Sequence, residues 1–212
     1  MLRNIIHPKS PYDGFVPLTT GPDYQGWGSE HPIFESLIVE LLPRLIIEVG
    51  TWKGMSAINM ASLIKRHGVT ECEIVCVDTW LGSYENWEHH FDSLQLENGY
   101  PTLYRQFMTN VVVSGHDDII TPFPISSNNA AVFLQHKGVS ADLVYVDAGH
   151  DYVDAKADIN VYWLLLRRGG VLFGDDYYPG TYDGVVAAVQ EFATEQNLPV
   201  SVNGGKWMFP KP

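Results

Sequence analysis

Along the chain the spacing of apolar positions alternates between helical and strand-like periods. From Pro32, well placed in a first helical turn, Ile33, Leu37 and Leu41 recur at helical spacing until Pro43. The run "LIIEV", residues 45 to 49, reads as a first strand, and a helix follows from about Met55 to His67 with Ala57, Ile58, Ala61 and Ile64 on one face. "EIVCVD", residues 73 to 78, is a second strand. A helix from Pro101 to about Val113, a third strand "IITPFPI" shortened by its prolines, and a helix from about Asn128 to His136 come next. "DLVYVD", residues 142 to 147, is a fourth strand; Ala155, Ile159, Tyr162 and Leu166 then mark a helix face, which Gly169 and Gly170 are expected to stop. "VLFGDD" is a fifth strand, followed by a helix carrying Val185, Val189 and Phe192. "VSVN" and "KWMF" flank Gly204 and Gly205, a two-residue turn suited to an antiparallel hairpin.

This alternation predicts an α/β fold: a Rossmann-like three-layer sandwich around a mostly parallel seven-stranded sheet with a C-terminal antiparallel hairpin. A length of 212 residues suits one domain, with 1–31 as an irregular lead segment and 32–212 as the core, carrying an insertion at 79–114 after strand two. Hydrophobic residues make up 45% and charged residues 18%, the balance of a soluble globular chain. The net charge, 13 minus 25 or −12, disfavours nucleic acid and anionic membrane surfaces as partners. No run of eighteen apolar residues and no signal-peptide pattern occurs, so the expected location is the cytoplasm. Cys72 and Cys76, with no second Cys or His pair at metal spacing, read as reduced core thiols.

In such sheets ligands sit beyond the carboxyl ends of the strands, where "IIEVGTWKGMSA", residues 46 to 57, lies. Gly50 and Gly54 let backbone approach a ligand, and the helix that begins nearby offers free N–H groups to an anion. A dinucleotide fingerprint would need glycines where Trp52 and Met55 stand, which counts against a pyrophosphate cofactor. Asp78 ends strand two, thirty residues after Glu48. By itself it would cap a turn; beside the Gly50–Gly54 turn it is placed to accept hydrogen bonds from both hydroxyls of a ribose.

From about Glu48 to Asp176 these features resemble the class I S-adenosylmethionine-dependent methyltransferases. "EVGTWKGMSA" is similar to that family's first motif, whose commoner Gly-x-Gly-x-Gly form is relaxed here at Trp52. The resemblance implies S-adenosylmethionine as cofactor, bound by Glu48, Gly50, Thr51, Trp52, Lys53, Gly54, Ser56, Asp78, Thr79, Trp80, Ser126, Ser127 and Asp147. The segment from Gly50 to Ser56 would hold the methionine part, Asp78 the ribose, and Trp80 or Ser126 and Ser127 the adenine end.

A second constellation lies at the same edge, since strand four ends in "VDAGHDY" and strand five in "GDDY". The 28 residues from Asp147 to Asp175 form one strand–helix–strand unit, which returns the chain to the adjacent strand end. Carboxylates gathered there repel unless one is protonated, so Asp147, Asp175 and Asp176 call for a cation, and oxygen ligands suit Mg²⁺. The plainer alternative is that one of the Asp175–Asp176 pair caps the following turn while the other faces water. The residues also resemble the metal-dependent O-methyltransferases, especially the branch acting on sugar hydroxyls of macrolide and aminocoumarin antibiotics. That resemblance implies Mg²⁺ held by Asp147, Asp175 and Asp176, with His150, three residues after Asp147, as general base. The implied partner is a small hydroxylated acceptor, and homo-oligomers are left open.

Tyr84, Trp87, His89, His90 and Phe91, with Tyr12, Trp27, Tyr177 and Tyr178, are candidates for an acceptor pocket or, equally, a cover for the sheet edge. Two further readings stand beside the methyltransferase: a nicotinamide-dependent oxidoreductase on a similar sheet, and a non-catalytic module that keeps the fold. A two-His, one-carboxylate iron set is absent at any plausible spacing.

Overall fold

The computed structural model describes residues 2–212. Its seven strands, counted among the described residues, form one sheet: β1 (Leu45–Val49), β2 (Glu73–Asp78), β3 (Ile120–Pro124), β4 (Ala141–Val146), β5 (Leu166–Gly174), β6 (Ser201–Asn203) and β7 (Lys206–Pro210). They are ordered β3-β2-β1-β4-β5-β7-β6, parallel up to β5 and antiparallel for β7 and β6. The order reverses between β1 and β4, so the switch point of the sheet falls beside the Gly50 turn.

Strand residues alternate between two apolar layers because side chains leave a strand on opposite faces. Ile47, Val49, Val75, Val77, Val144 and Leu172 pack under α6 (Ser127–His136), α7 (Tyr152–Leu165) and α8 (Asp183–Gln196). Ile46, Ile74, Cys76, Leu143 and Phe173 pack under α2 (Ile33–Leu41), α3 (Met55–Arg66) and α5 (Leu103–Val113). Each fully buried Leu, Ile or Phe contributes roughly 1.5–3 kcal/mol. Three polar residues share the second face, Glu48, Tyr145 and Lys206, all with exposure at or below 1%. No described helix is long and apolar enough to cross a membrane.

The lead segment contains one short helix, α1 (Arg3–Ile6), whose end is anchored where the backbone N–H groups of Leu2 and Arg3 donate to Glu73. Within 79–114, α5 is one of the sandwich helices, with Phe107 and Val111 in the core. Residues 79–102, with the short α4 (Tyr84–His89), cover the edge of that layer and seat Trp80 and Leu94 in the same core.

Strand five departs from expectation. Leu166 does not belong to the helix face of Ala155, Ile159 and Tyr162; it opens β5 opposite Ala141, and Gly169 and Gly170 lie inside the strand. Between Ala141 and Leu143 the register shifts, and the bulge needs both glycines: Gly169 has φ +73°, and a Cβ on Gly170 would meet the Asp142 carbonyl oxygen at 2.7 Å. Glycine after an apolar helical face reads as a stop signal, but here the helix has already ended four residues earlier.

Candidate active site

A cleft of about 790 Å³ opens along the carboxyl edge of the sheet. At one end is the turn between β1 and α3. Gly50 has φ +79°, and a Cβ there would lie 2.0 Å from the backbone oxygen of Asp147. The glycine is therefore dictated by the close passage of the chain after β1 against the chain after β4. Gly54 has φ +87°, with the Phe107 ring 2.8 Å from where a Cβ would be, and it begins α3 without a side chain to cap it. The first-turn N–H groups of a helix have no intrahelical acceptor, and Met55 and Ser56 of that turn line the cleft.

Trp52 takes the left-handed conformation, φ +52°, that a glycine would adopt more cheaply. Its ring is held outside the turn by Gln25, which accepts from Nε1 at 2.9 Å, and by Trp27, 6.5 Å away between centroids. Asp78 Oδ2 accepts from the backbone N–H groups of Thr51 (2.8 Å) and Trp52 (2.9 Å), and Oδ1 from that of Trp80 (2.7 Å). The carboxylate thus pins the turn; Oδ1 keeps acceptor capacity and Asp78 lines the cleft.

Several residues expected at the cofactor stand behind it instead. Glu48 is fully buried, accepts from Ser56 Oγ, and leaves Oε2 without a partner. Burial pushes its carboxyl up to about 8, so it is held protonated at neutral pH. Lys53 is buried and paired with Asp23 at 2.6 Å, away from the cleft. Trp80 is also away from it: the ring packs on Phe107 and Tyr104 while Nε1 donates to the Trp52 carbonyl at 2.8 Å. Gly50, Thr51, Trp52, Ser56, Asp78, Thr79, Ser126, Ser127 and Asp147 do line it, together with Asn128 and Asp158, which the sequence reading did not single out.

Past the contact of Gly50 with Asp147, on the β4–β5 side of the cleft, Asp147, His150, Asp175 and Asp176 share the wall. Burial pushes the Asp147 carboxyl up to about 7, with Asp175 and Asp176 adding to the effect, and its Oδ2 accepts from Tyr145 Oη at 2.8 Å. Asp175 pairs with Lys206 Nζ, which also donates to Tyr145 Oη at 2.7 Å. Asp176, at φ +65°, meets His150 Nε2 at 3.2 Å; His150 Nδ1 meets Glu85 of α4 at 2.9 Å, and its ring lies 4.5 Å from that of Tyr182. The hydrogen bond with Asp176 is the main cause that raises the His150 pKa to about 9.

The three acids do not fit the expected Mg²⁺ site. Magnesium needs several oxygens converging at about 2.0–2.1 Å. Here one oxygen of each acid turns to a different donor: Tyr145, Lys206 or His150. No three such side chains among the described residues gather to hold an ion. The cation that the acid cluster called for is present as the Lys206 ammonium, from a strand that the sequence reading placed only as part of a hairpin.

Of the candidate aromatic wall, Trp27, His90 and Tyr178 line the cleft. Tyr12 and Tyr177 pack against the two cores, and Tyr84, His89, Trp87 and Phe91 lie outside the lining, the last two ring to ring at 5.8 Å. Glu85, Tyr182, Lys206 and, around Trp27, Gly26, Gly28 and Ser29 were missed. Lys206 alone carried a signal: in "KWMF" it shares a strand face with Met208, where an apolar residue is the norm.

A family model described as a methyltransferase domain matches residues 47–177. The fold is similar to that of the O-methyltransferase NovP (14% identity, 86% of this chain and 79% of that one, TM-score 0.64). It is also similar to TomG, an O-methyltransferase of tomaymycin synthesis from Streptomyces achromogenes solved with S-adenosylmethionine (16%, 90% and 83%, 0.61). A third similar structure is CalS11, a TDP-rhamnose 3'-O-methyltransferase of calicheamicin biosynthesis (16%, 84% and 77%, 0.60). No curated protein matches the sequence. With the matched segment spanning the glycine turn, Asp78, Asp147 and the Asp175–Asp176 pair, the chain belongs to the methyltransferase-domain family and is a class I, S-adenosylmethionine-dependent enzyme.

Proposed function

We propose that the protein transfers a methyl group from S-adenosylmethionine to a hydroxyl of a sugar or another small hydroxylated molecule. The observation that carries this reading is His150, a histidine bracketed by Glu85 and Asp176 on the wall of the same cleft that the glycine turn enters. When bound, S-adenosylmethionine supplies an electrophilic methyl on a sulfonium. The acceptor oxygen forms the new C–O bond as the C–S bond breaks, and the bonding pair stays on sulfur.

The chain's own residues fit that chemistry. Asp78 holds the turn and lines the cleft, while the uncapped start of α3 provides N–H groups for a carboxylate. In the neutral ring of His150, Glu85 accepting from Nδ1–H favours the tautomer whose Nε2 can accept the hydroxyl proton. The longer contact, 3.2 Å from Nε2 to Asp176, is the one the acceptor hydroxyl displaces. Only neutral imidazole accepts a proton, and with Asp176 in place before the acceptor binds its pKa is about 9, so kcat/KM rises with pH towards that value. Holding acceptor and donor in line supplies up to about 7–11 kcal/mol, and the base a further 10²–10⁴-fold, roughly. The sugar preference draws on CalS11 and on the aromatic rings of Trp27, Tyr178 and Tyr182 in the lining.

Calorimetric titration with S-adenosylhomocysteine tests the cofactor. One saturable site is expected; no binding by folded protein at millimolar ligand would remove the reading. Transfer of labelled methyl groups to a panel of nucleotide sugars and free glycosides then tests the acceptor class.

A further inference from the structure

Resting on that reading, we propose that Lys206 does the work a divalent cation would do at this edge, so that the methyl transfer proceeds without bound metal. The first support is where the ammonium sits. Its Nζ is paired with Asp175 and 2.7 Å from Tyr145 Oη, which in turn donates to Asp147 at 2.8 Å. One buried positive charge therefore serves two of the three acids, directly and through a phenol. The third, Asp176, has His150.

A second support is how firmly the lysine is held. Lys206 is 1% exposed, and its Nζ lies 5.3 Å from the Phe34 ring centre and 4.9 Å from that of Tyr145. It opens β7 immediately after the Gly204–Gly205 turn, and the indole of the next residue, Trp207, donates from Nε1 to the Asp175 carbonyl at 2.9 Å, which holds the two chain segments together beside the ion pair. Gly28 completes the enclosure, since a Cβ there would stand 3.2 Å from Nζ and 3.1 Å from Asp175 Oδ2. A metal ion could enter only if this ammonium left, and withdrawing one partner of a buried pair is strongly unfavourable. The work of Lys206 is to neutralise and orient the acids that face the cleft. It is a positioning residue, acting through Asp175, Tyr145 and Asp147.

The test is a titration of metal-stripped protein with Mn²⁺, read by loss of the free-ion electron paramagnetic resonance signal. Wild type is expected to leave Mn²⁺ free at millimolar concentration. Lys206→Met, which exposes the acids to one another, is expected to gain one saturable site that is lost again in Lys206→Met/Asp175→Asn. Saturable binding by wild type that Asp175→Asn abolishes would overturn the proposal, and so would a folded Lys206→Met protein that binds no Mn²⁺. If Lys206→Met does not fold, the wild-type and Asp175→Asn titrations decide the matter alone. S-adenosylhomocysteine binding, measured on the same samples, separates the two claims: its absence would sink the methyltransferase reading without touching the Mn²⁺ result.

Discussion

The two ends of the cleft are built differently. At the glycine turn the shape is made by backbone: Gly50 against Asp147, Gly54 against Phe107, and the N–H groups of Thr51 and Trp52 gathered by Asp78. The lead segment clamps the same turn from outside, through the Asp23–Lys53 pair and through Asn110, whose amide donates to the carbonyls of Asp23 and Lys53 at 2.7 Å each. At the acid end the shape is made by side-chain partners from distant parts of the chain: Glu85 with His150, His150 with Asp176, Lys206 with Asp175. A backbone-built site tolerates little change of volume. A partner-built site tolerates volume but depends on charge and hydrogen bonding, so the two ends should fail in different ways.

The largest effect is expected at the backbone end. Gly50→Ala forces a methyl into the Asp147 carbonyl at a left-handed φ and should cost roughly 4 kcal/mol or more in urea denaturation, with loss of S-adenosylhomocysteine binding. A stable Gly50→Ala protein that still binds the cofactor product would show that β1 and β4 part more easily than this packing allows. At the acid end, His150→Ala should lower kcat by about 10²–10⁴-fold while leaving the S-adenosylhomocysteine Kd within about twofold. A near wild-type rate would take the base role from His150.

Glu48 gives an intermediate effect, read in stability. Its carboxyl is raised from 4.5 to about 8 because the fold buries the neutral form. The stability from that proton is fully present below pH 4.5 and is lost as pH rises through about 8. Glu48→Gln, which stays neutral, should flatten the fall in stability across that window; an unchanged slope in pH-dependent melts would place its source elsewhere. The smallest effect is expected for Glu85→Gln, which keeps a polar group beside His150 but no charge. A loss of roughly tenfold in kcat with little change in KM is expected, partly restored by Glu85→Asp. An equal loss in both Glu85 variants, with KM raised, would mean that α4 only shapes the acceptor pocket.

The backbone-built end was the more legible in the sequence, and for a definite reason. Its signals are local: an apolar run, glycines at 50 and 54, and a helical period in Ala57, Ile58, Ala61 and Ile64, all within about twenty residues. Even there, direction was harder to read than position. Trp80, Lys53 and Glu48 sit beside the right turn, but their side chains leave the backbone on the side away from the cleft. Gly169 and Gly170 misled in the same way, since a glycine needed for a bulge and one that ends a helix look alike until the pairing partner, Asp142, is in place.

By itself the sequence determined the alternation of strands and helices, the mostly parallel sheet with its closing hairpin, and the gathering of Asp78, Asp147, His150, Asp175 and Asp176 at one edge. These follow from periodicity and from the rule that each strand–helix–strand unit returns the chain to the same end of the sheet. Only the tertiary structure decided which groups neutralise and orient those acids. Lys206 lies 31 residues from Asp175 and Glu85 lies 65 from His150. Contacts at such separations are set by how β7 enters the sheet and how α4 folds over its edge, and charge interactions depend on the last few ångströms of that placement.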